Sequence, residues 1–253
     1  MVPRAEVIGV TARESTAATA PETASPRFPR AVSFVVPALN EEKNIEDSVR
    51  EIHRAAEGLD GYEIVVVDDG STDRTGEIAD ELARRDGRIR VVHNQRNVGF
   101  GGAYKIGVKH ASQPYVIMIP GDNNHPAWGI TPILSRIGEA DMVIPYVTNL
   151  EIRGRKRQLI SVTYTRLLNF LFRLDVPYFN GLVLHRTDLL RGITIETNGY
   201  AYQSEALIKL IRRGATSVTV PVSLAHDDQF SRAFKLKNIL RVGETILRLL
   251  FSR

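Results

Sequence analysis

The chain has 253 residues, 43% hydrophobic and 25% charged, which is enough to bury the core of one large α/β domain. It contains no cysteine; this excludes a disulfide scaffold, thiolate metal sites and cysteine catalysis, and it fits a cytoplasmic protein. A net charge of +4 and a pI near 9.4 do not by themselves separate nucleic acid, anionic lipid and phosphorylated substrate as partners.

Residues 1–30 are rich in Ala, Thr, Ser, Pro and Glu without sustained periodicity, so a disordered tail is expected there. Glu6, Glu14 and Glu22 are out of character for an organellar transit peptide. The N-terminus lacks a secretory apolar stretch, and no apolar run reaches the ~18 residues of a membrane-spanning helix. From Ala31 the pattern alternates. Strands are expected at 32–36, 63–67, 89–93, 115–119 and 142–144, with helices at about 42–56, 74–85, up to 110, and 130–137 between them. Five strands alternating with helices predict an α/β fold with a mostly parallel sheet. Further on, helices are expected at 158–174, 202–212 and 234–251, with a strand at 217–220.

Three of the strands end in acidic and turn-forming residues: Asn40-Glu41-Glu42, Asp68-Asp69-Gly70-Ser71 and Pro120-Gly121-Asp122. In an open parallel sheet, ligands bind outside the carboxyl ends of the strands. The set suggests a site for a phosphorylated ligand with a cation, as in nucleotide-sugar chemistry. Asn40-Glu41 reads either as a base or ribose contact or as a plain helix cap with acids in the first turn. Asp68-Asp69 reads either as a ligand site or as ordinary loop chemistry. The glycines of Asn97-Val98-Gly99-Phe100-Gly101-Gly102 either bring helix-terminal amides to an anion or form a structural turn. Asp122 is a candidate ligand for Mg²⁺ or Mn²⁺, which take one or two protein carboxylates and complete their shells with phosphate oxygens and water. Such an ion neutralises a departing diphosphate.

Pro37-Ala38-Leu39-Asn40-Glu41, Val67-Asp68-Asp69-Gly70-Ser71, Asn97-Val98-Gly99 and the Asp122–Pro126 segment, in this order and spacing, resemble family 2 glycosyltransferases. Within that family they resemble the dolichyl- and polyprenyl-phosphate sugar synthases. The resemblance implies a GT-A type nucleotide-diphospho-sugar transferase fold: a single catalytic domain over 31–253, with a nucleotide-binding half at 31–147 and an acceptor half at 148–253. It implies that Pro37, Leu39, Asn40 and Glu41, with Val67, Asp68 and Asp69, hold the base and ribose. Asp122 matches the last acid of an Asp-x-Asp metal motif, with Gly121 before it and Asn124 as the polar residue two further on. Gln203 and Glu205 fall in the acceptor-side segment, where Glu205 is the candidate base for a hydroxyl acceptor. Arg232 and Lys235 fall in a basic loop that clamps phosphates. Two departures stand out. Pro120 occupies the position of the motif's first acid, and Pro145-Tyr146-Val147 follows the fifth strand where many relatives carry a ligand-binding Arg, leaving Arg153 or Arg155 as a substitute.

The resemblance implies inverting transfer from a nucleotide-sugar to a lipid-phosphate acceptor. Residues 151–173 hold six Lys/Arg against one acid, and residues 228–253 hold six against two. Such helices either pack a core and leave a solvated face, or lie on an anionic membrane surface. The expectation is an enzyme peripheral on the inner face of the membrane. Sparse aromatics and the lack of a groove-reading motif argue against nucleic acid. The alternatives are a soluble hydroxyl acceptor, or a catalytically weak nucleotide-sugar-binding scaffold, which Pro120 favours.

Overall fold

A computed structural model describes residues 28–225 and 236–251. The expected N-terminal tail therefore lies, up to residue 27, outside the described residues. The first strand, β1 (Ala31–Ala38), is buried along its whole length. A run such as Ala-Val-Ser-Phe-Val-Val suits a strand covered on both faces, because every side chain then meets apolar neighbours. Parallel neighbours β2 (Gly61–Asp68) and β4 (Tyr115–Met118) flank it, and β3 (Ile89–His93) pairs parallel with β2.

Beyond β4 the sheet changes sense. Strand β6 (Leu184–Arg186) runs antiparallel to both β4 and β5 (Met142–Val147), and β7 (Ser217–Val222) pairs parallel with β5. The order is β3-β2-β1-β4-β6-β5-β7. Sequence patterning does not predict β6: three residues are too few to show a period, and His185 at its centre looks polar. Yet His185 is fully buried between Val116 and Met142.

Helices cover both faces. Helices α1 (Ile45–Ala55), α2 (Thr75–Arg85) and α4 (Ala127–Leu134) pack one core layer, with Ile45, Val49 and Ile52 forming the buried stripe of α1. The opposite layer is built on α3 (Phe100–His110), α5 (Arg155–Phe172), the short α6 (Thr187–Arg191), α7 (Tyr202–Arg212) and α8 (Leu236–Phe251). Helix α4 starts three residues before the predicted one, because Pro126 supplies a fixed φ just ahead of its first turn. Among the described residues, no helix is long and apolar enough to cross a membrane.

The chain leaves β1 toward β2 and β3, then returns past β1 to β4. The gap between the ends of β1 and β4 is thus a topological switch point, where such sheets open a crevice. Helix α3 lies close over β1, and Gly107 makes this possible: a Cβ there would sit 2.2 Å from Val35 Cγ1. Overpacking costs about 1–3 kcal/mol, whereas removing a helix-interior glycine returns about 1 kcal/mol. At so short a distance the clash wins. Gly107→Ala is expected to lower stability by about 2 kcal/mol, read as a lower urea midpoint at unchanged slope; an unchanged or higher midpoint would show that α3 can move off β1 freely.

Candidate active site

The carboxyl ends of β1, β2 and β4 are tied side by side. The Asp69 amide donates to the Ala38 carbonyl at 2.9 Å, and the Gly121 amide to the Pro37 carbonyl at 3.1 Å. The loops beyond β1 and β2 are joined as well. The Asn40 amide donates to Ser71 Oγ at 3.0 Å, Thr72 N to Asn40 Oδ1 at 2.8 Å, and Glu41 N to Thr75 Oγ1 at 2.7 Å. Asn40 holds a φ of +58°, a left-handed conformation that asparagine tolerates better than most residues.

These ends open into a cavity of about 670 Å³, a size typical of small-molecule sites. One wall is Pro37 at the end of β1, Leu39 and Glu41 after it, and Asp69 after β2; another is Pro120, Gly121, Asp122 and Asn124 after β4. The start of α3 (Gly99, Phe100), the segment Asn198–Tyr200, and Asn238 and Arg241 of α8 close the remainder. Phe100 and Tyr200 stack with ring centroids 5.6 Å apart.

Asp69 organises this wall. Its buried carboxylate accepts from Asn94 Nδ2 at 2.8 Å, Val98 N at 2.9 Å and Gly99 N at 3.0 Å. The next free amides of α3, Gly101 and Gly102, donate to the Asn198 carbonyl at 2.9 and 3.3 Å. The glycine-rich segment is therefore a structural turn, and these amides hold protein rather than an anion. Its glycines serve close packing: a Cβ on Gly99 would lie 2.7 Å from Asn198 O, and one on Gly101 2.7 Å from Gly199 O.

Pro37, Leu39, Glu41, Asp69, Gly121, Asp122 and Asn124 meet in the cavity, and five other expected site residues do not. Val67 is core. Asn40 is spent on joining the two loops. Asp68 turns away, accepting from Ser71 N at 3.0 Å and pairing with His93 Nδ1 at 3.0 Å. Burial pushes its carboxyl up, but the bonds from Ser71 and His93 outweigh that and leave it below the usual range. Gln203 is buried with its amide 3.0 Å from His185 Nε2, and burial pushes that imidazole down to about 3. Glu205, the expected base, is fully buried off the cavity. Its oxygens accept from Glu196 N at 2.9 Å, Thr197 N at 3.0 Å and Lys209 Nζ at 2.7 Å. It thus acts as an anchor for the segment leading to Asn198–Tyr200. The expected substitute Arg153 is also committed elsewhere, donating to Tyr178 Oη at 2.9 Å. Arg232 and Lys235 lie outside the described residues. Conversely, Asn198, Asn238 and Arg241 were not expected. Arg241 is the one Lys or Arg lining the cavity among the described residues.

No group of three or more His, Cys, Asp or Glu among the described residues could hold a metal ion alone. The Asp122 carboxylate accepts from Asn124 N at 3.2 Å, and both residues line the cavity. Hard oxygen donors of this kind fit Mg²⁺ or Mn²⁺ sharing its shell with a ligand's phosphates.

Residues 33–190 match the profile of Glycosyl transferase family 2. The chain belongs to this family. It is 29% identical to polyprenol monophosphomannose synthase of Mycolicibacterium smegmatis over 83% of both chains. It is 28% identical to undecaprenyl-phosphate mannosyltransferase of Micrococcus luteus, over 76% of this chain and 82% of the other. Glucosyl-3-phosphoglycerate synthase of Mycobacterium tuberculosis, solved with UDP, superposes with a TM-score of 0.62 at 26% identity, over 88% of this chain and 79% of that one. The same synthase has been solved with Mn²⁺, UDP-glucose and phosphoglyceric acid. The GT-A type fold and glycosyltransferase class implied by the sequence therefore hold for this family 2 chain.

The anchoring role of Glu205 predicts a stability effect with a definite pH dependence. Burial pushes its carboxyl up, but the Glu196 and Thr197 amides and the Lys209 ammonium outweigh this and leave it below its ordinary value. A depressed folded-state value contributes stability that is present above the unfolded value of about 4.3 and is lost as pH falls through the folded one. Glu205→Gln is expected to cost about 1–3 kcal/mol at neutral pH, with the gap to wild type closing as pH drops below about 4. Denaturant melts of both proteins across pH check this, and a gap that stays constant down to acid would contradict the ionised anchor.

Proposed function

We propose that this family 2 glycosyltransferase transfers a sugar, with inversion, from a nucleotide-diphospho-sugar to a polyprenyl-phosphate-type acceptor. The observation that carries this reading is the cavity at the β1/β4 switch point, with carboxylates on its strand-end walls and Arg241 on the α8 side. The names of the two mannosyl-transferring relatives support the acceptor class.

In this reading Pro37, Leu39, Glu41 and Asp69 form the wall that receives base and ribose. Asp122, with Asn124, holds a divalent cation delivered with the diphosphate, and that cation when bound neutralises charge on the leaving group. An acceptor phosphate oxygen attacks the anomeric carbon from the face opposite the diphosphate; the new carbon–oxygen bond forms as the bond to the diphosphate breaks. A phosphate acceptor is already anionic and needs no general base. That suits a site in which Glu205 is committed to backbone amides and Lys209.

A second reading keeps the donor chemistry with a soluble hydroxyl acceptor. It is favoured by the fold shared with a synthase solved with phosphoglyceric acid. Calorimetric titration with UDP and GDP, each with Mn²⁺, Mg²⁺ or EDTA, tests the donor site. One nucleotide is expected to bind, with affinity lowered at least about tenfold by EDTA or by Asp122→Ala. Transfer from the matching nucleotide-sugar to polyprenyl phosphate, and not to phosphoglycerate, is then expected. No nucleotide binding under any condition would overturn the proposal, and transfer only to phosphoglycerate would replace it with the second reading.

A further inference from the structure

Ten large hydrophobic side chains stand exposed among the described residues, and eight of them belong to α5 and α8. On α5, Leu159 and Phe170 are 69% and 81% exposed, with Ile160 and Leu167 beside them; on α8, Leu240 and Phe251 are 65% and 84% exposed, with Leu247 between them. Both helices already bury their opposite sides, α5 through Leu168 and Phe172 and α8 through Thr245 and Leu249. The exposed side chains are therefore not unfinished core.

Their distribution is ordered. At about 100° per residue, Leu159, Phe170, Leu167 and Ile160 fall within one sector of α5 about 100° wide. Arg155 and Arg166 lie along one edge of that sector, and Lys156 falls within it. From residue 155 to residue 173 there are five Lys or Arg and no acid. On α8, Leu240, Leu247 and Phe251 repeat at a spacing of seven and four residues and form one stripe. The two helices pack the same side of the sheet, and their carboxyl-terminal ends meet at Arg212. Its guanidinium lies 5.0 Å from the Phe172 ring centroid and donates to the Leu249 carbonyl at 3.2 Å.

We infer that the outward faces of α5 and α8 form one docking surface for an anionic lipid bilayer. Apolar side chains enter the acyl boundary while the arginines at their edge meet lipid phosphates, which is how interfacial helices bind. Charge decides between a bilayer and a second copy of the chain. A two-fold contact through this face would set the same unopposed arginines of both copies close together, whereas anionic headgroups neutralise them. The same helix α8 carries Asn238 and Arg241 into the lining of the cavity from another of its faces. This rests on the membrane-acceptor reading above: a bilayer against α5 and α8 presents its headgroups beside the helix that also brings Arg241 to the cavity.

The test is co-sedimentation of the full chain with phosphatidylcholine vesicles, with and without phosphatidylglycerol. The comparison variants are Leu159→Ser/Phe170→Ser and Leu247→Ser/Phe251→Ser, whose side chains are exposed and are not part of the fold's core. The wild type is expected to bind vesicles containing phosphatidylglycerol, at least about tenfold more weakly in high salt or on neutral vesicles. Each double variant is expected to bind at least about tenfold more weakly than wild type. No wild-type binding, or variants that bind as well as wild type, would overturn the inference. So would a wild-type dimer in sedimentation equilibrium that the variants split without loss of vesicle binding, which assigns the face to a second copy. Calorimetric affinity for UDP and GDP is measured on the same proteins and is expected to be unchanged by the variants. Loss of vesicle binding with nucleotide binding intact thus separates failure of the docking face from failure of the donor site.

Discussion

The buried carboxylate of Asp69 is the constraint on which the site depends. It sits one residue past the end of β2 and gathers three donors, Asn94 Nδ2, Val98 N and Gly99 N, from the chain between β3 and α3. Without it, the half-buried Asn94 and Val98 donors would lose this partner, at about 0.5–1.5 kcal/mol each, while Gly99 N keeps a second acceptor in Asn97 Oδ1 at 2.8 Å. Because Gly99 is held there at a φ of +92°, α3 starts where its Gly101 and Gly102 amides reach the Asn198 carbonyl. A second carboxylate, Glu205, fixes that partner segment from the other side. Two buried acids, both read from sequence as ligand-binding or catalytic, thus position backbone around the cavity. Asp69 also lines it.

This arrangement divides the chemistry of the cavity. Glu41, Asp69 and Asp122 stand at the strand ends, while Arg241 comes from α8 across the cavity. A nucleotide diphosphate brings negative charge to an acidic wall and so needs a cation between, for which Asp122 and Asn124 offer hard donors. On the proposed reading, an anionic acceptor coming from the α8 side would meet the arginine instead. The polarity runs from carboxylates on the parallel sheet to an arginine on α8, a helix that also shows an apolar stripe to the outside; the proposed function assigns the first end to the nucleotide and the second to the acceptor.

Much of the fold was legible because its signals are local. β1 and β2 are β-branched runs that stop in turn residues, and α7 falls at the predicted 202–212. The antiparallel β6 was not legible, since its three residues show no period and its buried His185 finds a partner for Nε2 only in Gln203, eighteen residues away. The strand-end residues of the site could be read because motif order and sheet topology bring them to one edge. Three of the misplacements share one cause. Asp68, Gln203 and Glu205 belong to polar segments, and sequence does not display that their partners are His93, His185 and the 196–197 amides. Asn238 and Arg241 were missed because the basic-apolar pattern of α8 marks a surface helix, not the turn of it that faces the cavity.

The central claim is that the β1/β4 switch point receives the nucleotide diphosphate with its cation at Asp122. Crystals grown with Mn²⁺ and UDP or GDP, measured at the manganese absorption edge, test it most directly. The account predicts one anomalous peak within coordinating distance of the Asp122 carboxylate, bridged to the diphosphate, with the base against Leu39 and Asp69. Nucleotide bound with its diphosphate away from Asp122, or a manganese peak held by other residues, would contradict it.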